Sequence, residues 1–226
     1  PLYRFASLAQ ASAALAARVV ADLEQALTLR GEASLALPGG SSPGELLRLL
    51  GARSLEWRHV QVTLTDERWV PPAHPRSNAG QLERLMLARA RPARMFPLWR
   101  AGLDPAAAAD RLEAESDALP WPLDVVVLGM GEDGHVASLF PGDEAGFATV
   151  GRRFVAVEGP DGEPRVSLTA GAIADARAVY LLLAGARKLD VLSSAAARGL
   201  PVARVLAPLE GRVAVFAGND SAGEAR

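Results

Sequence analysis

The chain contains no cysteine, which excludes disulfides, thiolate nucleophiles and zinc–thiolate sites. No run approaches the ~18–20 uninterrupted apolar residues of a membrane helix, and the first residues carry Arg4 but no signal-type apolar block. The formal net charge is only -2, so there is no electrostatic footprint for nucleic acid or an anionic membrane surface. Histidine is scarce, with 3 in 226 residues, and Lys188 is the only lysine. There is no internal repeat, low-complexity linker or break in composition. Pro1 in place of an initiator methionine points to a trimmed start. What remains is 50% hydrophobic and 22% charged, the balance of an ordinary globule. One domain over residues 1–226 is expected, cytoplasmic, free of nucleic acid and membrane, and monomeric or weakly homo-oligomeric.

The apolar pattern alternates between two periods. Residues 7–29 place Leu8, Leu15, Val19, Leu23 and Ala26 at roughly 3.6-residue helical spacing. Short apolar runs at 33–37, 60–65, 123–128, 165–168, 179–183 and 213–216 predict strands, with a weaker one at 154–157. Helices are predicted at 77–86, at 104–119 with Pro105 at its start, and at 186–197. A further helix opens at Ser42-Pro43-Gly44-Glu45, with Ser42 as cap, Pro43 at the first helical position and Glu45 at the third. Strands alternating with helices predict a Rossmann-like, doubly wound, mostly parallel sheet with helices on both faces.

Four segments carry chemistry, and each follows a predicted strand, where open α/β sheets place their ligands. Pro38-Gly39-Gly40-Ser41-Ser42 joins a strand to a helix N-terminus, an arrangement that binds anions through free N–H groups and the helix dipole. Taken alone it is equally a tight turn in which Ser42 caps the helix. Asp66-Glu67-Arg68 puts three charges after the second strand, ahead of Pro71-Pro72 and Ser77-Asn78. Exposed charge clusters are more often solvated loops, but here Arg68 could grip a phosphate bidentately and Asp66 could orient a hydroxyl or water.

The third segment, Gly129-Met130-Gly131-Glu132-Asp133-Gly134-His135, ends the most apolar strand. It matches the dinucleotide pattern G-x-G-x-x-G, but Pro141-Gly142 breaks any helix within about two turns, and Glu132 and Asp133 would repel a pyrophosphate. His135 with Asp133 two residues away is instead a candidate proton-transfer pair. The fourth, Gly185-Ala186-Arg187-Lys188, puts the sole lysine in the first turn of a helix, which the dipole disfavours unless an anion sits there. Arg165 is a weaker candidate for the same anion. No metal-ligand spacing is present, and His59 and His74 join no pattern. Together these segments describe an enzyme acting on a small phosphorylated metabolite.

The blocks Pro38 to Pro43, Asp66-Glu67-Arg68-Trp69-Val70-Pro71, Ser77-Asn78, Leu128 to Gly142, Arg165 to Thr169 and Gly185 to Lys188 resemble the 6-phosphogluconolactonase family, within the larger glucosamine-6-phosphate isomerase/lactonase group. The resemblance implies a Rossmann-like fold and hydrolysis of 6-phosphogluconolactone to 6-phosphogluconate in the pentose phosphate pathway, without metal or cofactor. The isomerase branch typically reads Phe-Asn-Glu-Pro where this chain has Ser138-Leu139-Phe140-Pro141, so the acidic residue of that branch is absent. On this reading Gly39, Gly40, Ser41, Ser42, Arg68 and Lys188 hold the phosphate, with Arg165 a further candidate, and Asn78 and Gly131 touch substrate. His135 moves protons, and either Asp133 or Asp66 orients it. The alternatives are a sugar-phosphate isomerase and a sugar-phosphate-sensing module of a transcriptional regulator. The latter should carry a helix-turn-helix with a basic recognition helix, and none is evident.

Overall fold

The computed structural model describes residues 1–219. In chain order the strands are β1 (Leu2–Phe5), β2 (Ala33–Leu37), β3 (Val60–Leu64), β4 (Asp66–Arg68), β5 (Arg94–Met95), β6 (Val125–Leu128), β7 (Phe154–Glu158), β8 (Pro164–Leu168), β9 (Ala178–Ala184) and β10 (Val213–Gly218). The α-helices are α1 (Leu8–Arg30), α2 (Gly44–Gly51), α3 (Asn78–Leu82), α4 (Pro105–Glu115), α5 (Ala145–Ala148), α6 (Ala170–Ala174), α7 (Ala186–Ser194) and α8 (Pro201–Leu206).

Seven strands form one parallel sheet in the order β1-β10-β9-β6-β2-β3-β5. Every residue of β2 and β6 is buried. Successive side chains point to opposite faces of a strand, so full burial requires that helices cover both faces, and near-continuous Val/Leu/Ala is the result. Helix α1 is the largest cover, touching β1, β2, β6, β9 and β10. Ser7 caps it by accepting from the Gln10 N–H at 3.2 Å, and Gly31 closes it at φ 77, a left-handed turn that only glycine adopts freely. Its stripe of Leu8, Ala11, Leu15, Val19, Leu23 and Ala26 is buried. Removing each of Leu15, Val19 and Leu23 from water contributes about 1.5–3 kcal/mol.

The structure departs from the sequence expectation in three places. The segments at 154–157 and 165–168 are strands, but they lie outside the parallel sheet: β7 and β8 form a hairpin that pairs antiparallel with β4. Residues 66–68, expected as a charged loop, are that third strand. The backbone crosses between sheets at Thr65, whose N–H donates to Leu37 and whose carbonyl accepts from Leu168. Ser42 caps nothing: α2 begins after Pro43 with no side-chain cap, and Glu45 instead reaches Arg48 at 3.3 Å. The edge strands β1 and β5 carried no sequence signal, because one is largely exposed and the other only two residues long.

At the amino-terminal end of the sheet, buried Asp124 accepts from the Ser34 N–H at 2.9 Å and pairs with Arg30 and Arg177. It thereby ties β2, β6 and the last turn of α1 together. Among the described residues no helix is long and apolar enough to cross a membrane. Asp124→Ala would leave the Ser34 amide and two guanidinium groups without their acceptor, and should lower unfolding stability by about 3–5 kcal/mol in urea titration. A loss under about 1 kcal/mol would show that these groups find other partners.

Candidate active site

The chain winds outward from β2 to β3 and β5 on one side, then returns to β6 and proceeds through β9 and β10 on the other. Strands β2 and β6 are therefore neighbours whose following loops part in opposite directions, and the crevice beyond their carboxyl ends is where such sheets bind ligands. A cleft of about 210 Å³ lies there. It is walled by the loops after β2, β3, β6 and β9, with Arg165 reaching in from β8.

His135 is presented by the loop after β6. Its Nδ1 lies 2.6 Å from Asp133 Oδ1, which also accepts the His135 backbone N–H at 3.1 Å. A carboxylate can only accept, so Nδ1 carries the proton and Nε2 is left as the basic nitrogen. The imidazole lies against Phe140, with ring centroids 4.8 Å apart. Gly131 makes this possible: a Cβ there would lie 2.2 Å from two atoms of the imidazole. Its N–H is already spent on the His135 carbonyl at 3.0 Å. Ala137, lining the same cleft, holds φ 50, a conformation that costs a non-glycine residue about 1–3 kcal/mol.

Asp66 makes no hydrogen bond or ion pair with His135. Its carboxylate accepts from Ser138 Oγ at 2.6 Å and Thr65 Oγ1 at 3.1 Å. Of the two carboxylates that sequence left open, Asp133 is the one bonded to the imidazole. Glu67, to which sequence assigned no role, is fully buried. It accepts from the N–H groups of Arg68, Asn78 and Ala79 at 2.8 Å each and from Ser77 Oγ at 3.0 Å. Burial pushes its carboxyl above the usual range, against the pull of those four hydrogen bonds. Glu67 thus clamps the start of α3 onto β4.

That clamp positions Asn78, whose Nδ2 donates to the Asp66 carbonyl at 2.9 Å and whose Oδ1 accepts from Arg68 Nη1 at 3.1 Å. Gly39 leaves room for Asn78, since a Cβ there would sit 1.9 Å from Asn78 Oδ1. Gly40 has φ 98, and its N–H and carbonyl are both held by the Gln81 side chain. Gln81 escaped the sequence reading because nothing local links it to residue 40. The Gly40 amide is therefore spent, whereas the amides of Gly39, Ser41 and Ser42 have no partner among the described residues.

The cations divide into paired and free. Arg165 Nη2 lies 3.3 Å from Asp161 and 3.7 Å from Glu163, and its guanidinium sits over Phe140. Arg187 pairs with Glu132 at 3.2 Å. Lys188 makes no hydrogen bond or ion pair among the described residues, and burial lowers its pKa, with Glu132 opposing. All the sequence-predicted site residues except Asp133 line this one cleft, and Asp133 stands behind His135. Among the described residues no group of three or more His, Cys, Asp or Glu could hold a metal ion.

Residues 6–215 match the family model of glucosamine-6-phosphate isomerases/6-phosphogluconolactonase. The chain belongs to this family. It is 44% identical over 192 residues to a 6-phosphogluconolactonase of Rhizobium meliloti (strain 1021), covering 82% of this chain and 83% of that protein. To one from Mesorhizobium japonicum it is 42% identical over 218 residues, covering 92% and 90%. The crystal structure of a 6-phosphogluconolactonase from Shewanella baltica OS155 superposes with a TM-score of 0.86 at 32% identity, over 97% of each chain. A monomeric glucosamine-6-phosphate deaminase, 19% identical with a TM-score of 0.77 over 100% of this chain and 99% of that one, shares the fold. Within the family this chain is an enzyme of the hydrolase branch.

Gly131→Ala should displace the imidazole and lower kcat by at least about tenfold while the protein stays folded. Full turnover, with an unchanged circular-dichroism melt, would mean that the imidazole does not need that space.

Proposed function

We propose that this cleft hydrolyses 6-phospho-D-glucono-1,5-lactone to 6-phospho-D-gluconate in the oxidative pentose phosphate pathway, with His135 as general base. The observation that carries the reading is the 2.6 Å contact from Asp133 to His135 Nδ1, which leaves Nε2 basic in a cleft that Arg68, Arg165, Lys188 and the turn of residues 39–42 also line. Family membership and the similarity to 6-phosphogluconolactonases support the choice of substrate. Residues 1–226 act as one cytoplasmic domain, monomeric or weakly associated, and no cofactor takes part.

The 6-phosphate sits at the turn of residues 39–42, beside the amides of Gly39, Ser41 and Ser42 and the N-terminus of α2, with Arg68, Lys188 and Arg165 supplying charge. Anchoring that remote group sets C1 of the lactone near His135. Nε2 takes a proton from a water whose oxygen bonds to C1. The tetrahedral intermediate then breaks the bond between C1 and the ring oxygen, which receives that proton from the imidazolium. Asp133 holds the ring and stabilises its charge throughout. General-base assistance contributes about 10²–10⁴-fold, enough for an ester that already hydrolyses in water. Phe140 occupies the position where the isomerase branch carries its acid, and its ring packs on the imidazole. Asp66 also lines the cleft but accepts from Ser138 and Thr65, so His135 Nε2 is the base left without a partner, which suits ester hydrolysis better than proton shuttling between sugar carbons.

Proton release after adding fresh 6-phosphogluconolactone, corrected for spontaneous hydrolysis, tests the activity directly. His135→Ala should lower kcat by at least about a hundredfold with little change in KM; near-normal turnover would remove His135 from the chemistry. Lys188 supplies a second test through its lowered pKa. Its charge is complete only below that pKa and is lost as pH rises through it, earlier than for an exposed lysine. Calorimetric affinity for 6-phosphogluconate should therefore fall on the alkaline side, and Lys188→Arg should flatten that fall. The same slope in both proteins would take Lys188 out of the phosphate site.

A further inference from the structure

A second cavity of about 510 Å³ adjoins the cleft. The two share a wall, for Gly40, Ser41, Arg68 and Arg165 line both. Arg76 and Arg84 line the second and not the first. The charges there do not cancel. Asp161 and Glu163 pair with Arg165 and Arg76, and Glu163 lies 4.0 Å from Arg68. Arg84 makes no hydrogen bond or ion pair among the described residues. Four guanidinium groups thus face two carboxylates, a surplus of two positive charges in a chain whose formal net charge is -2. Arg165 Nε, a hydrogen-bond donor, is also buried without a partner among the described residues. Buried polar atoms of this kind are rarely left unsatisfied unless something else completes them.

We infer that this cavity takes the second phosphate of a diphosphate group whose first phosphate occupies the turn of residues 39–42. The inference rests on reading that turn as the phosphate cradle. Directly linked phosphates suit the two cavities, which have Gly40, Ser41, Arg68 and Arg165 in common as lining. Guanidinium groups suit the ligand, since their planar forks bind phosphate oxygens in pairs. A compound carrying a diphosphate would span both cavities and exclude the lactone, whereas a monophosphate would engage only the first.

The test compares inorganic pyrophosphate with orthophosphate as inhibitors of lactone hydrolysis, alongside calorimetric binding of each. Pyrophosphate should compete with substrate at a Ki at least about tenfold lower than orthophosphate. The double variant Arg76→Ala/Arg84→Ala should erase that advantage while leaving KM for the lactone and the orthophosphate Ki unchanged. Equal inhibition by the two anions, or an advantage that survives in the variant, overturns the inference. A variant whose lactone KM rises in step also overturns it, because the cavity would then be the substrate's own phosphate site. Adding ADP separates the sources: inhibition matching pyrophosphate means that a nucleotide-borne diphosphate is accepted, and its absence restricts the site to the free anion. Tight pyrophosphate binding by a protein without lactonase activity would instead refute the proposed function and leave this site standing.

Discussion

The pairing of β2 with β6 is the constraint on which the site depends. Their residues are in register, Leu35 beside Val125 and Ala36 beside Val126, and both strands are wholly buried. Because the chain departs from the two in opposite directions, no crossover covers their carboxyl ends. The glycine turn after β2 and the acid–histidine turn after β6 are brought face to face by the pairing of these two strands. Asp124 locks the opposite end of the same two strands. The apolar sheet thus fixes the separation of two polar loops between which no hydrogen bond or ion pair forms among the described residues.

Within that frame the polar residues are held by bonds that leave few of them adjustable. Glu67 sacrifices solvation to fasten α3 to β4, and its cost is visible in the upward displacement of its carboxyl pKa. In return Asn78 and Arg68 take fixed positions at the cleft wall. Gln81 performs the same service for Gly40, closing two main-chain groups with one amide. What stays unspent is therefore informative. The Lys188 side chain, the amides of Gly39, Ser41 and Ser42, and His135 Nε2 have no internal partner among the described residues, and all five residues line the cleft.

Glycines here work by subtraction. Gly39 and Gly131 hold ordinary backbone angles, and each is required because a side chain enters the space that its Cβ would fill. One admits Asn78 and the other admits His135. In the sequence Gly39 looked like part of an anion-binding turn and Gly131 like a substrate contact. Gly131 in fact spends its N–H on the loop itself, so its contribution is room for the imidazole.

By itself the sequence determined the parallel sheet, the positions of its central strands, the helical stripe of α1 and the four segments that line the cleft. These are local signals: unbroken apolar runs, helical spacing, and glycine or charge at strand ends. Tertiary structure alone decided that β7 and β8 leave the main sheet to pair with β4, that Asp133 rather than Asp66 meets His135, and that Glu67 and Gln81 brace the site. For the long-range contacts the reason is separation along the chain. Gln81 meets Gly40 across 41 residues, and Asp66 meets Ser138 across 72. Contacts at that range leave no period or motif behind them, because each is created only when the sheet aligns its strand ends.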